Sequence, residues 1–121
     1  MGSWLSQEAL VADLGGGIYV SRVDSDEFEP DEDDGGFVHT LFEDGVAMAG
    51  LWKPDPAVSG AYESPALSAR ETIVVLAGSA QMEVENGPTL DLSVGDMASI
   101  PKGAVTTWHP SPDFKKVWIY S

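Results

Sequence analysis

The 121-residue chain is predicted to be all-β, an antiparallel barrel preceded by one short helix. Three observations predict this. Short apolar runs recur along most of the chain, each about the length of one strand. Turn-forming residues separate them at close intervals. Helical spacing of apolar residues is convincing only over residues 4–13. Many short strands without intervening helices predict a sandwich or barrel rather than a doubly wound α/β sheet.

The elements follow in order. Residues 4–13 are expected to form the helix, with Ser6 as its cap and Gly15-Gly16-Gly17 as its end. Residues 18–23 read as a strand. Residues 24–34 hold eight acids in eleven positions, with Pro30 inside and Gly35-Gly36 after them. Such a block repels itself and resists burial, so it is expected as a solvated loop. Asp31, Asp33 and Gly35 give a fragment of a calcium-loop pattern, but no closing Glu or flanking helix fits; only weak surface calcium would suit it. Nine further strands are expected at 37–42, 46–52, 60–63, 72–76, 80–85, 89–92, 97–100, 105–108 and 114–120. Their punctuation is Glu43-Asp44-Gly45, Pro54-Asp55-Pro56, Asn86-Gly87-Pro88, Gly95-Asp96 and Pro110-Ser111-Pro112. Asn86-Gly87 suggests a tight hairpin of type I′. The expected division is 1–36 for the helix, first strand and acidic loop, and 37–121 for the barrel, within a single domain.

Composition excludes several classes. The formal charge is −14, from 20 acidic and 6 basic residues. Such a surface repels phosphate, so neither nucleic acid nor an anionic membrane is an expected partner. No cysteine is present, which removes disulfides, thiolate metal sites and a cysteine nucleophile. No secretory signal is read at the N-terminus, and a cytoplasmic location is expected. Met1-Gly2-Ser3-Trp4-Leu5-Ser6 meets a loose myristoylation pattern with no polybasic patch to support it. No Gly-x-Ser-x-Gly elbow or phosphate loop occurs, and Gly15-Gly16-Gly17 precedes its strand, the wrong order for a dinucleotide fingerprint.

Glu71 is followed by Gly78 after six residues, and Gly95, Pro101 and Gly103 recur at a second fixed spacing. The stretch from Glu71 onward resembles the cupins, whose two motifs carry these residues. Gly50-Leu51-Trp52, Glu71–Gly78, Gly95-Asp96, Ile100-Pro101-Lys102-Gly103, Thr107-Trp108 and Phe114-Lys115-Lys116-Val117-Trp118 are similar to one branch, the ureidoglycine-aminohydrolase-like and ethanolamine-utilisation-like cupins. The resemblance covers roughly 37–121 and implies an RmlC-like jelly-roll barrel. It transfers little about reaction, because fold does not settle function.

The resemblance also implies a metal held by three His and one Glu. Here the first His pair would fall at Ser64 and Ala66, or at Pro65 and Leu67. The second-motif His position is Thr106 and the Asn position is Pro110, so only Glu71 survives. The chain's two histidines are His39 and His109. A regular strand places Thr106 and Trp108 inside and His109 outside; the facing of His39 is ambiguous. The expectation is therefore no cofactor. The alternative is one divalent metal, such as manganese or nickel, on a rearranged set of His39, Glu63, Glu71 and His109. That oxygen-rich set would suit manganese or magnesium better than zinc.

Glu71 is the candidate general acid or base, since a carboxylate facing an apolar interior is expected to rise in pKa. Trp52, Tyr62, Thr106 and Trp108 are the candidate ligand-binding residues. Either Trp118 and Tyr120 or Val117 and Ile119 face inward. Lys53, Arg70 and Lys102 lie near strand ends, where a mouth would be. The expected function is binding of a small polar organic molecule. Its rivals are a metal-dependent aminohydrolase- or isomerase-like enzyme and a non-catalytic module. The expected assembly is a homodimer formed through exposed sheet edges.

Overall fold

A computed structural model describes residues 11–121. Among these, every regular element is a strand: β1 (Ala12–Gly15), β2 (Ile18–Val20), β3 (Glu29–Pro30), β4 (Phe37–Asp44), β5 (Ala47–Lys53), β6 (Tyr62–Ser64), β7 (Glu71–Ala77), β8 (Ser79–Val84), β9 (Thr89–Ser93), β10 (Met97–Ile100), β11 (Thr106–Pro110) and β12 (Lys115–Tyr120). All ten strands expected from the sequence are present, nine with shifted ends and 97–100 as expected.

The expected helix is corrected. Its last residues, Ala12 and Asp13, belong to β1, which pairs with β2; residues 1–10 lie outside the described residues. The glycines that suggested a helix end instead make a hairpin. Gly16 (φ 64°) and Gly17 (φ 78°) are both left-handed, as a two-residue turn between right-twisted strands requires. At Asn86-Gly87 a hairpin also forms, but it is wider than the expected type I′ turn. Only Asn86 of that pair is left-handed (φ 58°), and the Gly87 N–H closes back onto the Val84 carbonyl at 2.9 Å.

The closed barrel is corrected too. The strands form a six-stranded sheet, ordered β10-β7-β12-β5-β4-β3, and a four-stranded sheet, ordered β6-β11-β8-β9. No strand ladder joins the two among the described residues. The chain crosses between these two sheets six times, and two of the crossings are the corners between β6 and β7 and between β10 and β11. Pro65 and Pro101 directly follow strand ends at these corners, and a residue without an N–H cannot extend a ladder. Only isolated bonds tie the corners, Leu67 N–H to Ala104 O at 2.9 Å and Gly103 N–H to Leu67 O at 2.8 Å. The two-sheet jelly-roll character stands, as an open sandwich.

Alternation builds the core. Ile73 and Val75 of β7, Met82 of β8, Leu92 of β9 and Ile100 of β10 meet between the sheets with Phe114. Burying a side chain of this size contributes about 1.5–3 kcal/mol. The outer face of the six-stranded sheet carries His39, Ala49 and Leu51, all buried. No helix among the described residues is long and apolar enough to cross a membrane.

Part of the acidic block is seated rather than solvated. The Asp31 N–H bonds to Gly36 O, and Asp31 Oδ1 accepts from the N–H groups of Asp33 and Asp34 at 3.1 Å. The Trp52 indole N–H donates to Gly35 O at 2.8 Å. Gly36 (φ 73°) lies so close to Trp52 that a Cβ there would sit 2.7 Å from the ring and 2.5 Å from Lys53 O. Gly36→Ala is expected to destabilise the fold by about 1–3 kcal/mol, as overpacking does. Urea denaturation followed by tryptophan emission checks this; an unchanged midpoint would mean that the loop does not rest on Trp52.

Candidate functional site

The six-stranded sheet lays its inward residues in three rows. Register aligns Val75, Lys116, Trp52 and Val38 in one row, across β7, β12, β5 and β4. The middle row is Ile73, Trp118, Gly50 and Thr40; the third is Glu71, Tyr120, Met48 and Glu43. Trp118 and Tyr120 are thus the inward pair. The Trp118 indole lies across Gly50, where a Cβ would meet the ring at 2.9 Å. Opposite, β11 presents Thr106 and Trp108 inward and β6 presents Tyr62. The side chains leave a cavity of about 420 Å³ between these surfaces, with the 31–34 loop as a further wall.

Glu71 and Lys116 meet inside it. Lys116 Nζ donates to Glu71 Oε2 at 3.1 Å, and the two residues are 7% and 4% exposed, respectively. The same ammonium stands 4.0 Å from the centre of the Trp108 ring and 5.5 Å from that of Trp52. Aromatic faces attract a cation, and a desolvated contact of this kind contributes about 2 kcal/mol. The premise of a lone carboxylate in an apolar interior is therefore corrected: Glu71 is paired.

Sequence reasoning missed Lys116. The signal was its spacing, because Lys116, Trp118 and Tyr120 alternate along one strand and share a face. The three basic residues placed at the mouth line no cavity of this site. Lys53 packs its ammonium 4.3 Å from the Phe28 ring, Arg70 bonds to Ser99 Oγ at 2.8 Å, and Lys102 is exposed in a turn.

The other candidates divide. Trp52, Tyr62, Trp108, Glu63 and Glu71 line the cavity. Tyr62 offers its ring, which packs edge-on to Trp52 with centroids 5.2 Å apart; its hydroxyl accepts from the Asp55 N–H at 2.9 Å. Thr106 shares the inward face of β11 but is not among the lining residues, and its buried Oγ1 has no hydrogen-bond partner among the described residues. His109 points outward beside Glu83 at 3.6 Å. His39 faces away from the cavity. Its Nδ1 donates to Glu27 O at 2.6 Å, since a carbonyl can only accept, and its Nε2 meets Ser21 Oγ at 2.8 Å.

The rearranged metal set of His39, Glu63, Glu71 and His109 is therefore not brought together. Among the described residues no group of three or more His, Cys, Asp or Glu side chains is arranged to hold a metal ion. The usual cupin metal does not fit these residues either: Glu71 already faces an ammonium, a like charge to any metal, and Thr106 stands at an imidazole position.

Electrostatic crowding marks the mouth. Burial, then the neighbouring Asp31, Glu71 and Asp33 carboxylates, raises the Asp34 pKa, with Lys116 opposing. Burial and the charges of Glu71, Asp34, Asp31 and Asp33 likewise push the Tyr120 phenol well above its ordinary value.

A family model described as the EutQ-like cupin domain matches residues 41–118. An ethanolamine utilization protein Q described from Salmonella typhimurium LT2 superposes with a TM-score of 0.73 at 20% identity, over 91% of this chain and 90% of that one. The EutQ protein of Clostridium difficile gives 0.72 at 16%, over 95% and 88%. A cupin-2 domain protein from Shewanella frigidimarina gives 0.53 at 22%, over 68% and 76%. At these identities the likeness is one of fold. No curated protein sequence matches the chain.

Two outcomes are expected. Glu71→Leu or Lys116→Met alone should cost about 3–5 kcal/mol, because each strands a buried charge, whereas the double variant should lie close to wild type. Denaturation of all four proteins closes the cycle; additive losses would mean that the pair is not coupled. Asp34→Asn should stabilise the protein at neutral pH. A carboxyl whose folded pKa is raised binds its proton more tightly when folded, so its contribution is lost as pH rises from about the ordinary 3.8 through the raised value. The advantage of Asp34→Asn should therefore vanish in acid below that window, and a pH series of melting temperatures reads it.

Proposed function

The chain belongs to the family of EutQ-like cupin domains, and from that premise we propose that it binds a small polar organic molecule in the cavity between its sheets, without the usual cupin metal. The observation that carries this is the cavity itself. At about 420 Å³ it falls in the range of small-molecule sites, roughly 300–1,000 Å³. Its floor is aromatic, and carboxylates, hydroxyls and one ammonium line the rest of it. Trp52, Trp108 and Tyr62 supply apolar contact. Glu71 and Lys116 supply one acceptor and one donor at fixed positions.

In this reading Glu71 orients the ligand and is the group placed to move a proton, since its carboxylate reaches the cavity and is held there by Lys116. The reading of a filled, purely structural interior has no support in a cavity of this size. Association of two copies belongs to the same proposal. β10 is an edge strand of the larger sheet, and it carries Met97, 76% exposed. A cytoplasmic location also remains part of the proposal, supported by the acidic, cysteine-free composition.

A library of small polar fragments screened by nuclear magnetic resonance tests the reading. Binders are expected to shift the indole signals of Trp52, Trp108 and Trp118. They should weaken at least about tenfold, or about 1.4 kcal/mol, in the Glu71→Leu/Lys116→Met double variant. A screen without binders, or with binders that leave the indoles unmoved, would oppose it.

A further inference from the structure

We infer that the cavity selects a small organic cation, a primary or quaternary ammonium compound, held between the acidic mouth and the Trp118–Tyr120 aromatic pair. The inference rests on the proposed small-molecule reading and names the chemical class that this site would take.

Charge is the first observation. Six carboxylates line the cavity, those of Asp31, Asp33, Asp34, Glu43, Glu63 and Glu71, against the single ammonium of Lys116. With all six ionised, five negative charges are left over beside low-dielectric aromatic walls. Such a cleft focuses a negative potential and concentrates cations. It disfavours carboxylate and phosphate ligands for the same reason. The raised Asp34 and Tyr120 pKa values agree with this field.

An ammonium already inside the site is the second, independent observation. Lys116 Nζ sits 4.0 Å from the Trp108 ring centre with Glu71 as its counter-ion. The interior therefore accommodates an ammonium by the two interactions that cage organic cations, an aromatic face and a carboxylate. Among the described residues, Lys116 takes the Trp108 and Trp52 faces. Trp118 and Tyr120 form a second tilted pair, with centroids 5.3 Å apart and planes at 52°. They lie in the rows that end in Thr40 and Glu43. That pair and the mouth acids reproduce the same two interactions for a diffusible guest.

A bare divalent ion suits the mouth less well. Asp31 Oδ1 is already engaged by two backbone N–H groups, and among the described residues no three His, Cys, Asp or Glu side chains are grouped to hold a metal. The aromatic walls add nothing for a hydrated inorganic ion, whereas they match alkyl groups around nitrogen.

Calorimetric titration of the full chain tests this at constant ionic strength. The probes are tetramethylammonium, n-propylammonium, n-propanol, propionate and calcium chloride. Both ammonium probes should bind, at least about tenfold tighter than propanol, with no heat from propionate. Their affinity should fall as salt is raised. Glu63→Gln, a substitution at an exposed rim position, should weaken them by about threefold or more, and Trp118→Leu by about tenfold. Propanol or propionate binding as well as the ammonium probes would overturn the cation inference and leave small-molecule binding standing. Ammonium probes silent beside fragments that still bind would do the same. Calcium that binds while the ammonium probes do not, with no loss in Trp118→Leu, would also overturn it. Ammonium probes and fragments both failing would overturn both readings.

Discussion

A lysine and a glutamate buried together between two indoles organise this molecule. Charge transfer into a protein interior is costly, and only close pairing offsets it. Lys116 achieves this from the centre of the larger sheet, reaching Glu71 on the neighbouring strand. The Lys116 side chain then stands under Trp108 of the opposite sheet. One interaction thus links β7, β12 and β11, across the gap between the sheets. Partners this specific leave little freedom of register, because a slip of one residue in β12 would put Lys116 on the outer face and Val117 inside. The cavity exists where it does because polar atoms sit where apolar packing would otherwise close the gap.

Much of the fold was legible because its signals are local. Alternating apolar residues and Pro- or Gly-rich turns act over a few positions, and they marked every strand from Phe37 onward. The errors arose where local signals are degenerate. Gly15-Gly16-Gly17 serves equally as a helix end and as a hairpin turn, and pairing with β2 decided between them. Closure of the barrel is a long-range property. Pro65 and Pro101 follow strand ends at the corners, but which sheet each strand joins depends on partners dozens of residues away.

The site was legible in part, for the same reason. Glu71 stood out through its spacing to Gly78, and Trp108 through alternation. Lys116 did not, because the sequence left open which face of β12 turns inward. A lysine among acids also reads first as a surface residue. The acidic block is exposed at six of its eight acids, as expected, but not throughout. Its composition predicts solvation, yet Asp34 is half-buried, since Gly35 and Gly36 allow the backbone to settle on Trp52 and Tyr62. Composition reports the mean behaviour of a segment, and a single indole hydrogen bond is enough to anchor part of it.

That anchored loop has a further consequence. The region shared with the family spans residues 41–118, whereas Asp31, Asp33 and Asp34 precede it. The acidic wall lies outside that span and is joined to the sheet through β3 and the Trp52–Gly35 bond. Exchanging residues 31–34, with Gly35 and Gly36 kept against Trp52, would rewrite the wall's charge without disturbing a core side chain. The charge of this wall and the packing of the frame beneath it can therefore be varied separately.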